Sequence, residues 1–151
     1  MEFSWYISGF VDGEGCFSVS FTYRSKLNTK IEVRPSFSIS QNKRNLKILE
    51  EIKNFFGVGS IRFSKRDQNF KYEVRSIHDL VKRIIPHFKK FPLKTKKSED
   101  FSRFSKICDL VYNNHHLNKK YLLEIIDEAY KMNESGKRKY SKQKLLKLMA
   151  R

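Results

Sequence analysis

A chain of 151 residues with 32 Lys and Arg against 16 Asp and Glu carries a formal charge of +16. That length suits one domain, 1–151, with a buried core, and contents of 39% hydrophobic and 14% aromatic residues exclude a disordered basic tail. The charge calls for a polyanion, nucleic acid before an anionic membrane, since no apolar run approaches a spanning helix and no signal peptide is visible.

In chain order, the pattern predicts a helix over 3–12 and then two alternating strands over 16–26 and 31–41, joined by the polar connector Leu27-Asn28-Thr29-Lys30. Asn45 is the expected cap of a helix over 46–56, which Gly57-Val58-Gly59 ends. Strands over 60–65 and 70–76 flank the turn Arg66-Asp67-Gln68-Asn69. Further helices are expected over 77–89 (ending near Pro86 to Pro92), 97–112, 118–132 and, beyond a polar break at Gly136, 141–149. The class is α+β: an αββαββα core with extra C-terminal helices. Two hairpins with helices between them require a four-stranded antiparallel sheet, covered on one face and open on the other.

Alternation sorts the strand residues. Inside fall Phe17, Val19, Phe21 and Tyr23, then Ile31, Val33, Pro35, Phe37 and Ile39, then Ile61, Phe63, Tyr72 and Val74. The outer face carries Ser18, Ser20, Thr22, Arg24 and Lys26, then Glu32, Arg34, Ser36, Ser38 and Ser40, then Ser60, Arg62, Ser64, Lys71, Glu73 and Arg75. Hydroxyls mixed with Arg, Lys and Glu can read base edges, and a pair of strands fits a major groove. The bland alternative is an ordinary solvated sheet face. No exposed aromatic row is present for stacking single strands, so duplex DNA is favoured. Strands of about ten residues span about 30 Å, or on the order of ten base pairs. One copy then reads a half-site and two copies read a long near-palindrome. Lys43 and Arg44 are expected backbone contacts, and Arg66 and Lys96 are expected to bind DNA. Lys137, Arg138, Lys139, Lys142, Lys144 and Lys147 are expected to hold flanking phosphates.

Two cysteines, Cys16 and Cys108, and four histidines show no zinc spacing, and the default is reduced thiols in an intracellular protein. Cys16 has no visible base partner and reads as a small groove-facing side chain rather than a nucleophile. His115-His116 reads as a solvated turn. Trp5 and Tyr6 are expected in the core or in a dimer interface. Abundant Lys, Asn, Phe and Ile would suit an AT-rich genome, so synthesis inside an organelle is open.

The segment Ile7-Ser8-Gly9-Phe10-Val11-Asp12-Gly13-Glu14-Gly15 runs an apolar helix into a turn that holds two acids between glycines. It resembles the signature motif of the LAGLIDADG homing endonucleases. Ile7 and Ser8 stand for Leu and Ala, Gly9, Asp12 and Gly15 match, Phe10-Val11 replace Leu-Ile, Gly13 replaces Ala, and Glu14 replaces the second Asp. The motif occurs once, and the predicted element order agrees with the family fold over nearly the full chain.

The resemblance implies a homodimeric, site-specific double-strand DNA endonuclease, intron-encoded and mobile. Small residues let two motif helices approach, so Ser8, Gly9, Val11, Asp12 and Gly13 are expected at the dimer interface. Glu14 is the implied metal-binding acid, with backbone carbonyls around Gly13 and Gly15 completing a Mg²⁺ site. Mn²⁺ would substitute, and Ca²⁺ would bind without supporting cleavage. Gln41 is the implied water-orienting residue. Lys94 either offsets transition-state charge or clamps a phosphate, with Lys96 close by. Asp12 reads as a local structural cap. The rivals are a non-catalytic relative, such as an intron maturase, and a generic basic RNA-binding module.

Overall fold

A computed structural model describes residues 1–133 and 138–151; Gly136 and Lys137 lie outside the described residues. The elements are α1 (Glu2–Glu14), β1 (Gly15–Tyr23), β2 (Ile31–Asn42), α2 (Leu46–Phe56), β3 (Ser60–Ser64), β4 (Asn69–Val74), α3 (Ile77–Asp79), α4 (Ile85–Lys90), α5 (Lys97–Tyr112), α6 (Lys119–Ala129) and α7 (Lys142–Met149). The four strands form one sheet in the order β1-β2-β4-β3. Strands β2 and β4 run antiparallel with Phe37 opposite Val74 and Ile39 opposite Tyr72, and β3 pairs antiparallel with β4 with Ile61 opposite Tyr72.

The chain divides into two compact units, Met1–Phe17 with Ser36–Ser98, and Ser18–Pro35 with Glu99–Arg151. In the first, Phe17 and Phe37 stack at 5.2 Å, and both meet Phe88 of α4, at 5.5 and 5.7 Å. Ile7 and Val11 of α1, Leu49 and Ile52 of α2, and Tyr72 of β4 are fully buried with them. In the second unit, Val19, Phe21, Ile31 and Val33 are buried, as are Phe104, Ile107, Leu122, Ile125, Ile126 and Leu145. Outside β3, each unit thus buries most of the strand positions that alternation turns inward, together with the apolar stripes of its helices.

Several boundaries moved for physical reasons. Strand β1 stops at Tyr23, so Arg24 and Lys26 lie in the connecting turn, which the Lys30 carbonyl closes by accepting from the Arg24 N–H at 2.8 Å. Asn45 does not cap α2: its amide donates to Gln41 Oε1 at 3.0 Å. Asn42 does the capping instead, one short 3₁₀ turn earlier, accepting from the Arg44 N–H at 3.1 Å. Gly57 closes α2 at φ +73°, the left-handed conformation that favours glycine at a helix end.

Helix formation continues past Pro86 to Lys90 because residues Leu80–Ile84 open into a π-helical stretch, and Pro86 then falls in the first turn of α4, where no N–H is needed. Phe63 was expected inside and is 41% exposed. Its alternation is right, but β3 is a short edge strand of the sheet, and Phe63 settles against Phe70 at 4.8 Å.

Candidate functional site

Helix α1 buries Ser4, Ile7, Ser8 and Val11 on one face. On its other side, Gly9 and Gly13 have open space where a Cβ would stand, and Trp5 and Tyr6 are 46% and 50% exposed. The helix stops at Gly15, whose N–H donates to the Val11 carbonyl and where a Cβ would lie 2.6 Å from Val11 Cγ1. Only glycine fits that close approach. Glu14 is therefore the last helical residue. It is exposed, and has no hydrogen bond or ion pair with any other described residue. A carboxylate at the negative end of a helix, with no basic residue in the last turn, is placed to take a cation from outside the chain.

A second segment, 87–97, is stitched along α1. Ser8 Oγ donates to the Phe91 carbonyl at 2.6 Å and lies 3.2 Å from His87 Nε2. The Asp12 carboxylate accepts from the Lys94 N–H at 2.7 Å, from the Thr95 N–H at 3.1 Å and from the Thr95 hydroxyl at 2.6 Å. Burial pushes the Asp12 carboxyl up, but the bonds from Thr95 and Lys94 and the nearby Lys97 charge outweigh it and hold the group below the ordinary carboxylate value. Lys97 Nζ donates to the carbonyls of Val11 and Gly15 on either side of Glu14. The side chains of Lys94 and Lys96 are exposed and without a partner among the described residues. Gln41, half-exposed at the end of β2, donates to the Ser40 carbonyl and accepts from Asn45, each at 3.0 Å.

These contacts correct parts of the expected site. Ser8 and Val11, at 2% and 0% exposure, face the chain's own core, so Gly9 and Gly13 are the small residues left outward. Asp12 spends its carboxylate inside the chain rather than toward a dimer partner. The Gly15 carbonyl is bonded to the Lys97 ammonium and is not a free metal ligand, whereas Gly13 lies in the last turn, where a helix leaves carbonyls unpaired. Trp5 and Tyr6 are not core residues. Among the described residues no group of three His, Cys, Asp or Glu could hold a metal ion, so Glu14 stands alone in one copy.

The outward strand residues form two acid-centred clusters, one in each unit. In the first unit, Glu73 accepts from Ser36 Oγ at 2.9 Å and pairs with Arg62 at 3.5 Å and Lys71 at 3.6 Å. Beside it, Ser40, Arg62, Phe63, Ser64, Asp67, Asn69 and Lys71 line an open hollow of about 470 Å³. Ser60 and Arg75 are exposed, but Ser38 is 8% exposed and too deep for a base contact. Lys43 donates to Gln68 Oε1, Arg44 to Asn42 Oδ1 and Arg66 to Asp67, all at 3.2 Å. In the second unit, Glu32 pairs with Arg24 at 2.7 Å and Arg34 at 3.7 Å, and Ser20 is exposed beside half-buried Ser18 and Thr22.

Arg138 was expected on a phosphate and is instead structural. Its guanidinium donates to the Val19 carbonyl at 2.7 Å and to the Ala129 carbonyl at 2.5 Å, over the Tyr130 ring at 4.4 Å. Arg138→Met should lower stability by about 2–3 kcal/mol, two charge-assisted bonds being lost, and leave the salt dependence of nucleic-acid binding unchanged. Urea unfolding and a salt titration check the two halves. Lys142 pairs with Asp127, Lys139 lies 5.3 Å from the Tyr140 ring, and Lys137 is outside the described residues. Thr95 and Lys97 were not foreseen. In sequence they are two more polar residues of the run Lys94-Thr95-Lys96-Lys97, and nothing in spacing separates a lysine that bonds inward from one that faces solvent.

The family model described as LAGLIDADG endonuclease matches residues 7–108. The probable intron-encoded DNA endonuclease 1 of Mycosarcoma maydis is 31% identical over 134 residues, covering 89% of this chain and 47% of that protein. The homing endonuclease I-TnaI superposes with a TM-score of 0.84 at 33% identity, covering 97% of this chain and 95% of that one. I-SmaMI bound to uncleaved DNA target in the presence of calcium ions superposes with a TM-score of 0.85 at 34% identity, covering 97% of this chain and 47% of that one. The chain spans 26%, 47% and 24% of the length of three curated fungal relatives.

Proposed function

The chain belongs to the LAGLIDADG endonuclease family, and from that premise we propose that it is a site-specific, metal-dependent double-strand DNA endonuclease working as a homodimer. The observation that carries this reading is Glu14, an exposed carboxylate without an internal partner at the end of a helix whose outward face is Gly9 and Gly13. Two such helices side by side would bring two Glu14 carboxylates together at the axis, one for each scissile phosphate. The donor set of Glu14 carboxylates and Gly13 carbonyls is hard oxygen, which suits Mg²⁺, with Mn²⁺ substituting and Ca²⁺ binding without cleavage. When bound, such an ion neutralises phosphate charge and supplies an activated water.

The chain's own groups do the rest. Gln41 presents an amide that orients water, and Lys94 holds a free ammonium toward the charge that builds on the phosphate. The Glu73 cluster in one unit and the Glu32 cluster in the other read base edges in the major groove: Arg24, Arg34, Arg62 and Lys71 donate, and Ser20, Ser40, Ser60 and Ser64 adapt. Lys26, Lys43, Arg44, Arg66, Arg75, Lys96 and Lys139 hold phosphates. Each phosphate contact should steepen the salt dependence of binding by roughly one unit of log K per decade of salt. Synthesis inside an organelle is consistent with the composition, and no helix among the described residues is long and apolar enough to cross a membrane.

The deciding experiment exposes a randomised duplex library to the protein in Mg²⁺ and, separately, in Ca²⁺. Discrete double-strand cuts at a long near-palindrome in Mg²⁺ alone support the proposal. Tight duplex binding without cuts would replace it with a non-catalytic DNA-binding relative, and binding to structured RNA alone would remove the DNA reading.

A further inference from the structure

We infer that Asp12, Thr95 and Lys97 form a latch that sets the relative positions of Glu14 and Lys94, so that these three are positioning residues for the cleavage reaction. This rests on the roles proposed above for Glu14 and Lys94. The two groups come from segments 80 residues apart in sequence, and among the described residues side chains outside the reacting pair bond the two segments together.

One half of the latch is the Asp12 carboxylate. It takes both backbone N–H groups of Lys94 and Thr95, at 2.7 and 3.1 Å, and the Thr95 hydroxyl at 2.6 Å. The Thr95 hydroxyl oxygen in turn accepts from the Lys97 N–H at 3.2 Å, which turns the chain into α5. The backbone that carries the Lys94 side chain is therefore fixed to α1 two residues before Glu14.

The other half runs in the opposite direction. Lys97 Nζ reaches back to the carbonyls of Val11 and Gly15, which bracket the last turn of α1. A fixed ammonium there gives the Gly15 carbonyl a donor, adds a second donor to the Val11 carbonyl that already accepts from the Gly15 N–H, and offsets the negative end of the helix. It also holds the bend at Gly15 that makes Glu14 the last helical residue. The Lys94 and Lys96 ammonium groups carry no such bonds, so of the three lysines in this run Lys97 alone is committed inward among the described residues.

The test uses the full chain in single-turnover cleavage of the duplex recovered from the library, with binding measured separately in Ca²⁺. Asp12→Asn replaces one acceptor oxygen by a donor that faces donors, and Lys97→Met removes the ammonium while keeping much of the side-chain length. Each should slow cleavage by about a hundredfold with binding changed less than about threefold, because displacement of reacting groups by about 1 Å costs that much. Thr95→Val, which loses only the hydroxyl, should cost about tenfold, and Lys97→Arg should recover most of the loss. Asp12→Asn combined with Lys94→Ala should be no slower than Lys94→Ala alone, since Asp12 acts through Lys94.

Wild-type rates in Asp12→Asn and Lys97→Met, or fully additive losses with Lys94→Ala, overturn the latch while leaving the proposed nuclease intact. A wild-type chain that cuts nothing overturns the nuclease reading instead. The latch is still decided in that case by amide hydrogen exchange at Lys94 and Thr95, which should be at least about tenfold faster in Asp12→Asn. Equal exchange in the two proteins also overturns it.

Discussion

Glu14→Gln should abolish detectable double-strand cleavage, by about a thousandfold or more, while making the folded protein slightly more stable. The substitution keeps the shape of the side chain and removes its charge. In the proposed mechanism this carboxylate holds the cation, whose loss would remove several kcal/mol of transition-state stabilisation, and each 1.4 kcal/mol lost is about tenfold in rate. Affinity for the duplex in Ca²⁺ should change far less, because the proposed phosphate and base contacts come from the strands and loops. Stability should move the other way. Glu14 is a negative charge at the C-terminal end of α1 with no internal partner, an arrangement that costs at most about 0.3–1 kcal/mol, reduced by the Lys97 ammonium at the same helix end. Cleavage kinetics in Mg²⁺ and urea unfolding in the absence of metal measure the two opposed effects on the same variant. A variant that cuts at the wild-type rate would end the assignment of Glu14. Equal or lower stability would instead mean that Glu14 is paired within the fold. Glu14→Asp, which keeps the charge on a shorter arm, should retain part of the activity.

This opposition between function and stability was legible in the sequence only in part. The position of Glu14 at the end of a helix follows from the apolar run Ile7 to Val11 and from Gly15, and the sheet follows from period-two alternation that holds through β1, β2 and β4. Alternation reports which side of a strand a residue occupies, and it says nothing about how far the covering helices extend. Phe63 is exposed with the right parity, on a short edge strand. Small size was likewise an incomplete guide on α1. Ser8 and Gly9 look alike as interface residues in sequence. In the fold they diverge, because Ser8 has a hydroxyl that finds the Phe91 carbonyl and turns inward, while Gly9 has open space beside it. Long-range polar bonds were the least visible class. Asp12 was read as a local cap, and it is structural, but its partners lie more than 80 residues away. Arg138 was grouped with surface cations because its sequence neighbours Lys137 and Lys139 are cations. Nothing local indicated that two backbone carbonyls and the Tyr130 ring would claim it.

His87 is a further residue whose environment only the fold could supply, and it should make the protein acid-labile. It lies beneath α1 at 8% exposure, with Phe55, Phe56, Phe88 and Phe91 packed around its ring and Ser8 Oγ 3.2 Å from Nε2. Burial pushes its imidazole down to about 4, against a smaller upward pull from the Ser4 backbone. In the unfolded chain the same group has a value of about 6.5, so below that pH the unfolded state binds a proton that the folded state refuses. The stability this neutral ring contributes is full above pH ~6.5 and is lost as pH falls toward the folded value of about 4. Between pH 7.5 and pH 5 the expected loss is about 2 kcal/mol, a little over half of the limit of about 3.4 kcal/mol. In His87→Gln, which keeps an amide able to bond Ser8 but cannot titrate, the unfolding free energy should be lower at pH 7.5 and should fall by about 2 kcal/mol less than in the parent over the same interval. Urea unfolding of both proteins at the two pH values gives the comparison, and identical slopes would show that His87 takes up its proton as readily in the fold as in the unfolded chain. Because His87 and Ser8 together anchor the segment that leads to Lys94, the acid loss should begin there. At pH 5 amide protection, taken relative to the slower intrinsic exchange in acid, should fall in α1 and at residues 91–95 before the rest of the first unit opens.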